Sequence, residues 1–363
     1  MAKKLSSDIS LFAVTLVLLG IGLVMVWSAS TALAQERHDN AYYFLIRQVI
    51  WATVGLAGMV AAMRLDYRKL RQPVVVYSVV AGTTAALILV LFLPSVNETH
   101  RWIRLGALSF QPSEMAKLAV VLFLAYHLER RRDRVNEFLP ALFPALLLLG
   151  WFAFLVFIQP DLGTAATIAL VGAVLLFLAG VKMRYFAALT LPALFFLYQA
   201  VMTAAYRRDR IEAFLNPYSD PRGSGYQIIQ SLIAVGTGGV TGLGLMEGRQ
   251  KLFYLPYPYS DFIYAVIGEE LGLIGAVAVV LGFLFFMWRG LRAAWRAPDA
   301  FGTYLAAGLT LAIVLQAMIN LSVVLGLLPA KGIPLPFISA GGSSLVLTLL
   351  GVGLILNVSQ HAD

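Results

Sequence analysis

Ten apolar runs fill most of this chain, at roughly residues 9–33, 43–63, 73–94, 112–128, 138–158, 163–181, 184–204, 262–288, 301–326 and 340–358. Each is close to the roughly 20 residues that an α-helix needs to cross a hydrocarbon core of about 30 Å. In lipid every backbone N–H and C=O must find a partner within the protein, so such runs fold as helices packed into a bundle. The sequence therefore reads as an all-α polytopic membrane protein, a single unit over 1–363. It has ten transmembrane helices and one large extracytoplasmic loop, about 205–261, between spans 7 and 8. With 60% hydrophobic and 13% charged residues, no sizeable soluble domain is expected. The basic stretch Met1–Ser10 leads into a run too long for the core of a signal peptide, which predicts a retained first helix.

Charge asymmetry predicts the orientation. With the N-terminus inside, the inner segments carry Lys3, Lys4, Arg64, Arg68, Lys69, Arg71, Arg130, Arg131, Arg132, Arg134, Lys182, Arg184, Arg289, Arg292 and Arg296. The short outer loops carry Arg37, Arg101, Arg104 and Lys331. Lys and Arg gather on the cytoplasmic side, so both termini are placed there and the 205–261 loop on the outer face. The net charge of +8 follows from this topology; the arginines sit at helix ends, which does not suit a nucleic-acid groove. There are no cysteines, which excludes disulfides, thiolate catalysis and thiolate metal sites. No two of the four histidines have metal-ligand spacing, so a metal would rest on oxygen ligands or on a substrate's phosphates.

The long loop is the polar interruption. It holds Arg207, Arg208 and Arg210, an amphipathic stretch at Tyr226–Val235 with apolar residues at 228, 229, 232, 233 and 235, and a run of glycines. This predicts a short helix lying on the bilayer surface, then a flexible or tightly turned segment. The loop ends in Tyr259-Ser260-Asp261, directly before an apolar span. Asp261 can cap the helix beginning at Phe262, or it can serve as a general base that takes a proton from an attacking hydroxyl.

Other ionisable residues converge on the same face. Glu114 and Lys117 stand one turn apart at the start of the fourth span, where buried charges must pair or line a cavity. Arg101 and Trp102 precede that span, and Asp161 follows a helix-breaking Pro160 as a natural N-cap of the sixth. Lys331 opens the last outer loop, which runs through Pro334 and Pro336 to Gly341-Gly342-Ser343-Ser344, a step whose backbone N–H groups can approach an anion. Glu269 and Glu270 lie two turns into the eighth span, one expected to face a cavity and the other to pair with a cation. The recurrence of Arg-Arg-Asp-Arg at 131–134 and 207–210 falls on opposite sides and is not read as a repeat.

Taken together these segments resemble the SEDS family (shape, elongation, division and sporulation), which includes RodA and FtsW. The resemblance runs from about residue 10 to 358. It rests on Arg101-Trp102-Ile103, Phe110-Gln111-Pro112-Ser113-Glu114 with Lys117, Pro160–Ala165, Phe214–Pro217, Gly225-Tyr226-Gln227, Ser260–Ile263, Gly268–Gly272 and Gly326–Ser344. It implies a peptidoglycan glycosyltransferase that polymerises lipid II at the outer face of the bacterial cytoplasmic membrane, partnered by a class B penicillin-binding protein. It also implies that Asp261 is the catalytic carboxylate. Substrate contacts are then expected from Glu114, Lys117, Arg101, Trp102, Asp161, Arg210, Lys331 and Ser343, with a divalent cation (Mg or Mn) bound through the substrate diphosphate and no organic cofactor. Two departures stand out. Pro256-Tyr257-Pro258-Tyr259-Ser260-Asp261 lacks the family's Glu and His beside the aspartate, and Ala340 replaces a Tyr. Short termini and Gly332–Pro336 favour the elongation (RodA-type) branch, whereas Gln250–Pro256 and Lys331-Gly332 look division-like; the expectation leans to elongation. A lipid flippase or transporter, with Glu114, Lys117 and Glu269 lining a path, and a structural scaffold are the competing readings.

Overall fold

The computed structural model describes residues 7–94, 99–105 and 108–361; Lys3 and Lys4 of the charge argument lie outside them. Ten long helices stand where the apolar runs predict. They are α1 (Ile9–His38), α2 (Tyr43–Arg64), α3 (Pro73–Leu89), α4 (Pro112–Arg130), α5 (Phe143–Ile158), α6 (Leu162–Leu178), α7 (Met183–Met202), α10 (Ile263–Trp295), α11 (Ala300–Val324) and α12 (Gly342–Ser359). Two shorter helices, α8 (Ala205–Leu215) and α9 (Tyr226–Thr237), lie between α7 and α10. Eight of the described helices are long and apolar enough to cross a membrane. The 17-residue α6 is too short for that group, and α4, which carries Glu114 and Lys117, also falls outside it. The fold is not purely helical: β1 (Ile103–Leu105) and β2 (Leu108–Phe110) form an antiparallel hairpin with Ile103 opposite Phe110, which delivers the chain to α4.

α4 and α11 are the centre. α11 packs on α4, α6, α10 and α12, while α2 pairs with α12 and α1 with α10. At the end away from the long loop, Asp8 caps α1 through Leu11 N and pairs with Arg289 at 2.7 Å, tying α1 to α10. α7 is the exception to this packing. Of its 20 residues only Ala200 is buried, and the helix meets the bundle through ring contacts such as Phe157–Phe196.

α10 is discontinuous. Its 33 residues would run about 50 Å as one helix at ~1.5 Å per residue, well past the hydrocarbon thickness. Gly272, at φ 62° and ψ −162°, breaks it. The segment after α9 fills the break and completes both cut ladders. Leu243 N and Gly244 N donate to the carbonyls of Glu269 and Glu270, each at 3.0 Å, while Leu273 N and Ile274 N donate to Gly239 O and Val240 O. A Cβ on Gly272 would lie 2.3 Å from Gly242 N, so only glycine permits this approach. Non-helical backbone at such a depth is tolerated because protein, not lipid, surrounds it.

The glycine run is thus a packed plug rather than a flexible tether. α9 also departs from expectation: it does not simply lie on a surface but buries Ile228, Ser231 and Ala234, and Ser231 Oγ donates to Val324 O of α11 at 2.7 Å. Glu269 and Glu270, both fully buried, hold the plug from below. Glu269 accepts from Arg249 N and Gln250 N, and Glu270 from Met246 N, Ser28 Oγ and Lys251 Nζ. One glutamate pairs with a cation as predicted; the other takes loop amides instead of facing a cavity.

Candidate active site

Asp261 does not cap the helix it precedes. α10 starts at Ile263, its N-cap residue is Phe262, and no side chain caps it. The position of Asp261 is set by its backbone. Three successive carbonyls are gripped by neighbouring elements: Tyr259 O by Ala340 N at 2.9 Å, Ser260 O by Ser339 Oγ at 2.6 Å and Asp261 O by Asn320 Nδ2 at 2.8 Å. The Tyr259 ring stacks on Phe44 of α2, with centroids 4.6 Å apart. One helical turn on, Gln48 reads both sides of the opposing strap, donating to Ser339 O and accepting from Gly341 N.

The carboxyl so placed is perturbed. Burial pushes its pKa up to about 6, against the pull of Ser260, Arg101 and Arg210 and with a further push from Asp161. A Cβ on Gly332 would lie 2.7 Å from Asp261 Oδ2, so the strap after α11 passes close to the acid. Lys331, immediately before that glycine, folds over Gly163, where a Cβ would fall 2.5 Å from its Nζ. Burial lowers the Lys331 pKa to about 8; Arg210, Arg101 and Arg207 act in the same direction and Asp161 opposes them. One electrostatic cluster therefore unites Asp261, Arg101, Asp161, Arg210 and Lys331.

Local chemistry fixes each member. Arg101 donates through Nε to Gln159 O at 3.0 Å and through Nη2 to Pro160 O, pinning the α5–α6 turn. Asp161 caps α6, as predicted, accepting from Thr164 N at 3.1 Å and Thr164 Oγ1 at 2.8 Å. Arg210 is exposed on α8, its guanidinium 5.8 Å from the Tyr206 ring. Trp102 is half-buried beside Arg101.

Glu114, Lys117 and Ser343 belong to a second, deeper cluster. Lys117 Nζ lies 2.9 Å from the Glu114 carboxylate, and Ser344 Oγ donates to Glu114 Oε2 at 2.9 Å. Ser343 Oγ accepts from Gln111 N at 3.2 Å. The Gly341 amide and both serine hydroxyls of the expected anion cradle are thus engaged with protein partners. Lys117 also donates to Gln316 Oε1, and Gln316 Nε2 to Pro334 O at 2.8 Å. A narrow crevice between α4, α11 and α12 touches this pair, lined by Leu118, Leu309, Ile313 and Gly351. Sequence reasoning did not single out Gln48, Gln316, Asn320, Ser339, Ser28 or Lys251. The signal that was there is the cost of lone side-chain amides in apolar spans.

Comparison with known proteins settles the family. The family model described as a cell cycle protein, FtsW/RodA/SpoVE, matches residues 9–363. This chain belongs to the SEDS family. A probable peptidoglycan glycosyltransferase FtsW of Geobacter sp. (strain M18) is 45% identical over 358 residues, 98% of this chain and 97% of that one. The stage V sporulation protein E of Bacillus subtilis (strain 168) is 43% identical over 361 residues, covering 99% of each. Among solved structures, a chain of a peptidoglycan synthase complex that coordinates polymerization and crosslinking superposes with a TM-score of 0.79 at 30% identity, covering 98% of both. The rod shape determining protein RodA of Thermus thermophilus gives 0.71 at 26% identity, covering 98% of this chain and 97% of that one. These two relatives, at 45% and 43% identity, carry FtsW and sporulation names, whereas the RodA structure is 26% identical. The lean to the elongation branch is corrected accordingly: the division-type alternative is the better supported.

Proposed function

We infer that the chain is a division-type peptidoglycan glycosyltransferase that polymerises lipid II, with Asp261 as its general base. The observation that carries this reading is a half-buried carboxyl, its pKa raised to about 6, held by its backbone close to the Gly332 strap and set among Arg101, Arg210 and Lys331 at the mouth of a helical bundle. At neutral pH such a group is largely ionised yet basic enough to take a proton from an attacking sugar hydroxyl. In the reaction, the 4-hydroxyl of the acceptor GlcNAc attacks the anomeric carbon of the donor MurNAc. Its proton passes to Asp261, the new C–O bond forms, and the bond to the diphosphate breaks with its electron pair. Diphosphate needs no proton to leave once its charge is met, which is the part given to Arg101, Arg210 and Lys331. Glycoside hydrolysis differs because its alcohol leaving group requires a second, acidic carboxyl.

Among the described residues no three His, Asp or Glu side chains converge as a metal site. A protein-built metal centre does not fit, and no step here runs through one; a divalent cation would depend on the diphosphate for most of its ligands. Inner-end arginines support placing this site on the outer face of the cytoplasmic membrane. A class B transpeptidase is the proposed partner, in line with the structural neighbour drawn from a complex that couples polymerization to crosslinking.

The deciding experiment supplies labelled lipid II to the full-length protein with its transpeptidase in liposomes. Glycan strands from the wild type and none from Asp261→Asn support the base. Full polymerisation by Asp261→Asn overturns the base assignment, and transbilayer movement of lipid II without polymer overturns the enzyme in favour of a flippase.

A further inference from the structure

The strongest unassigned feature is a pair of buried amides on α11. Asn320, 1% exposed, spends both hydrogens of its Nδ2 on backbone carbonyls from two different loops: Asp261 O at 2.8 Å and Ile333 O at 2.7 Å. One turn earlier, on the same face of the helix, Gln316 donates to Pro334 O at 2.8 Å while its Oε1 receives Lys117 Nζ. Carbonyls 333 and 334 are thus held by residues 320 and 316, and of these two amides Asn320 is the one that also reaches the acid-bearing loop.

We propose that Asn320 is a positioning residue that locks the Asp261 segment to the Lys331–Pro334 strap, with Gln316 fixing the strap to the Glu114–Lys117 pair. This rests on the reading of Asp261 as general base. The physical case is the valence of the amide. A single NH2 group that bridges two loops fixes their separation, and here those loops carry the reacting carboxyl and the half-buried Lys331. Ser339 Oγ makes a second link between them, donating to Ser260 O and accepting from Leu335 N, but it is itself part of the strap, whereas Asn320 holds both loops from a helix. α11, one of the best-buried helices of the bundle, is the rigid element from which both loops are measured. The arrangement also gives the Glu114–Lys117 pair a task other than touching substrate. It anchors Gln316, and through it the far end of the strap.

The test uses the full-length protein with its transpeptidase and lipid II. Asn320→Leu keeps the branched shape and removes the bridge; Asn320→His keeps one N–H donor. Misplacement of a base by a fraction of an ångström lowers kcat by roughly tenfold to a hundredfold while leaving KM near its wild-type value. Asn320→Leu is therefore expected to lose kcat on that scale, and Asn320→His to recover part of it.

A second readout is independent of turnover: labelling of Asp261 by a carbodiimide, which attacks the protonated carboxyl, followed by mass spectrometry across pH. The groups facing Asp261 are Ser260 and Tyr259 before it in the chain, Arg101 before β1, Arg210 on α8 and Asp161 at the start of α6. None of these is altered, so a shift in the labelling midpoint reports burial. Loosening the segment admits water, and the midpoint is expected to fall from about 6 toward the ordinary carboxylate range. An unchanged kcat and midpoint in Asn320→Leu overturn the proposal. A drop in kcat matched by lost thermal stability, with an unmoved midpoint, also overturns it, because the residue is then merely structural. If Asp261→Asn polymerises normally the base reading fails, whereas the labelling midpoint still decides whether Asn320 positions the carboxyl.

Discussion

Lys251 Nζ lies 2.6 Å from Glu270 Oε1, and both side chains are buried, with Ser28 Oγ bonded to each. A lysine from the long loop is therefore ion-paired inside the bundle, 19 residues before its partner in sequence. This contact, together with the Gly272 break, turns the second half of the loop into part of the helix packing. The stretch around α8, which joins the loosely packed α7, stays outside that packing.

Removing one partner of that pair leaves a charge buried without compensation. Lys251→Met is expected to destabilise the protein by about 3–5 kcal/mol, whereas Lys251→Met combined with Glu270→Met should cost less than the two single changes together. Thermal unfolding of the four proteins in one detergent measures this coupling. Additive losses would show that the pair contributes nothing as a pair.

Gly272 should tolerate no side chain. Its φ and ψ fall in a region that is essentially restricted to glycine, where strain alone runs to about 1–3 kcal/mol, and an added Cβ would also collide with the Gly242 amide. Gly272→Ala is therefore expected to unseat the plug and lower the melting temperature sharply. Gly150→Ala, in α5 with open space at its Cβ, should be neutral or gain up to about 1 kcal/mol of helix propensity. Equal effects at the two positions would argue against a packed break.

Such contrasts show what the sequence made readable. Helix positions follow from hydropathy because lipid leaves the backbone no other option, and the Glu114–Lys117 pair follows from i, i+3 spacing on one helix. Asp161 as a cap was equally local. Asp261 looked like a cap for the same local reason, yet its position is decided by Asn320, Ser339 and Ala340, residues 59 or more positions away. The plug was hidden because its glycines match any flexible linker, and only the partners across the bundle, Ser28 and Glu270, reveal that they are packed. The branch within the family was not legible, because the motifs Gln250–Pro256 and Gly332–Pro336 pointed in opposite directions.

Polymerisation should have a bell-shaped pH dependence. Asp261 must be ionised to accept a proton, so kcat/KM rises as pH passes about 6; Lys331 must keep its proton to face a diphosphate, so it falls above about 8. Because kcat/KM reports the free enzyme, both limbs should match these groups before substrate binds. Lys331→Arg should abolish the alkaline limb, since a guanidinium keeps its proton across this range. An alkaline limb that survives the substitution would assign it to another group.

Asp161 allows the charge of the cluster to be separated from its architecture. Asn caps helices as well as Asp does, so Asp161→Asn should keep the bond from Thr164 N and leave stability nearly unchanged, while Asp161→Ala should cost about 1 kcal/mol. The charge is different. Asp161 raises the pKa of Lys331 and that of Asp261 alike. Its removal therefore lowers both: Lys331 loses its proton more readily and Asp261 ionises at lower pH. Asp161→Asn is expected to move the whole pH–rate window to the acid side without narrowing it, and a pH series on the purified complex measures both limbs at once. If the acid limb moves and the alkaline one does not, Lys331 is not the group that titrates there. Unmoved limbs would place Asp161 outside the electrostatic cluster and leave it only its cap.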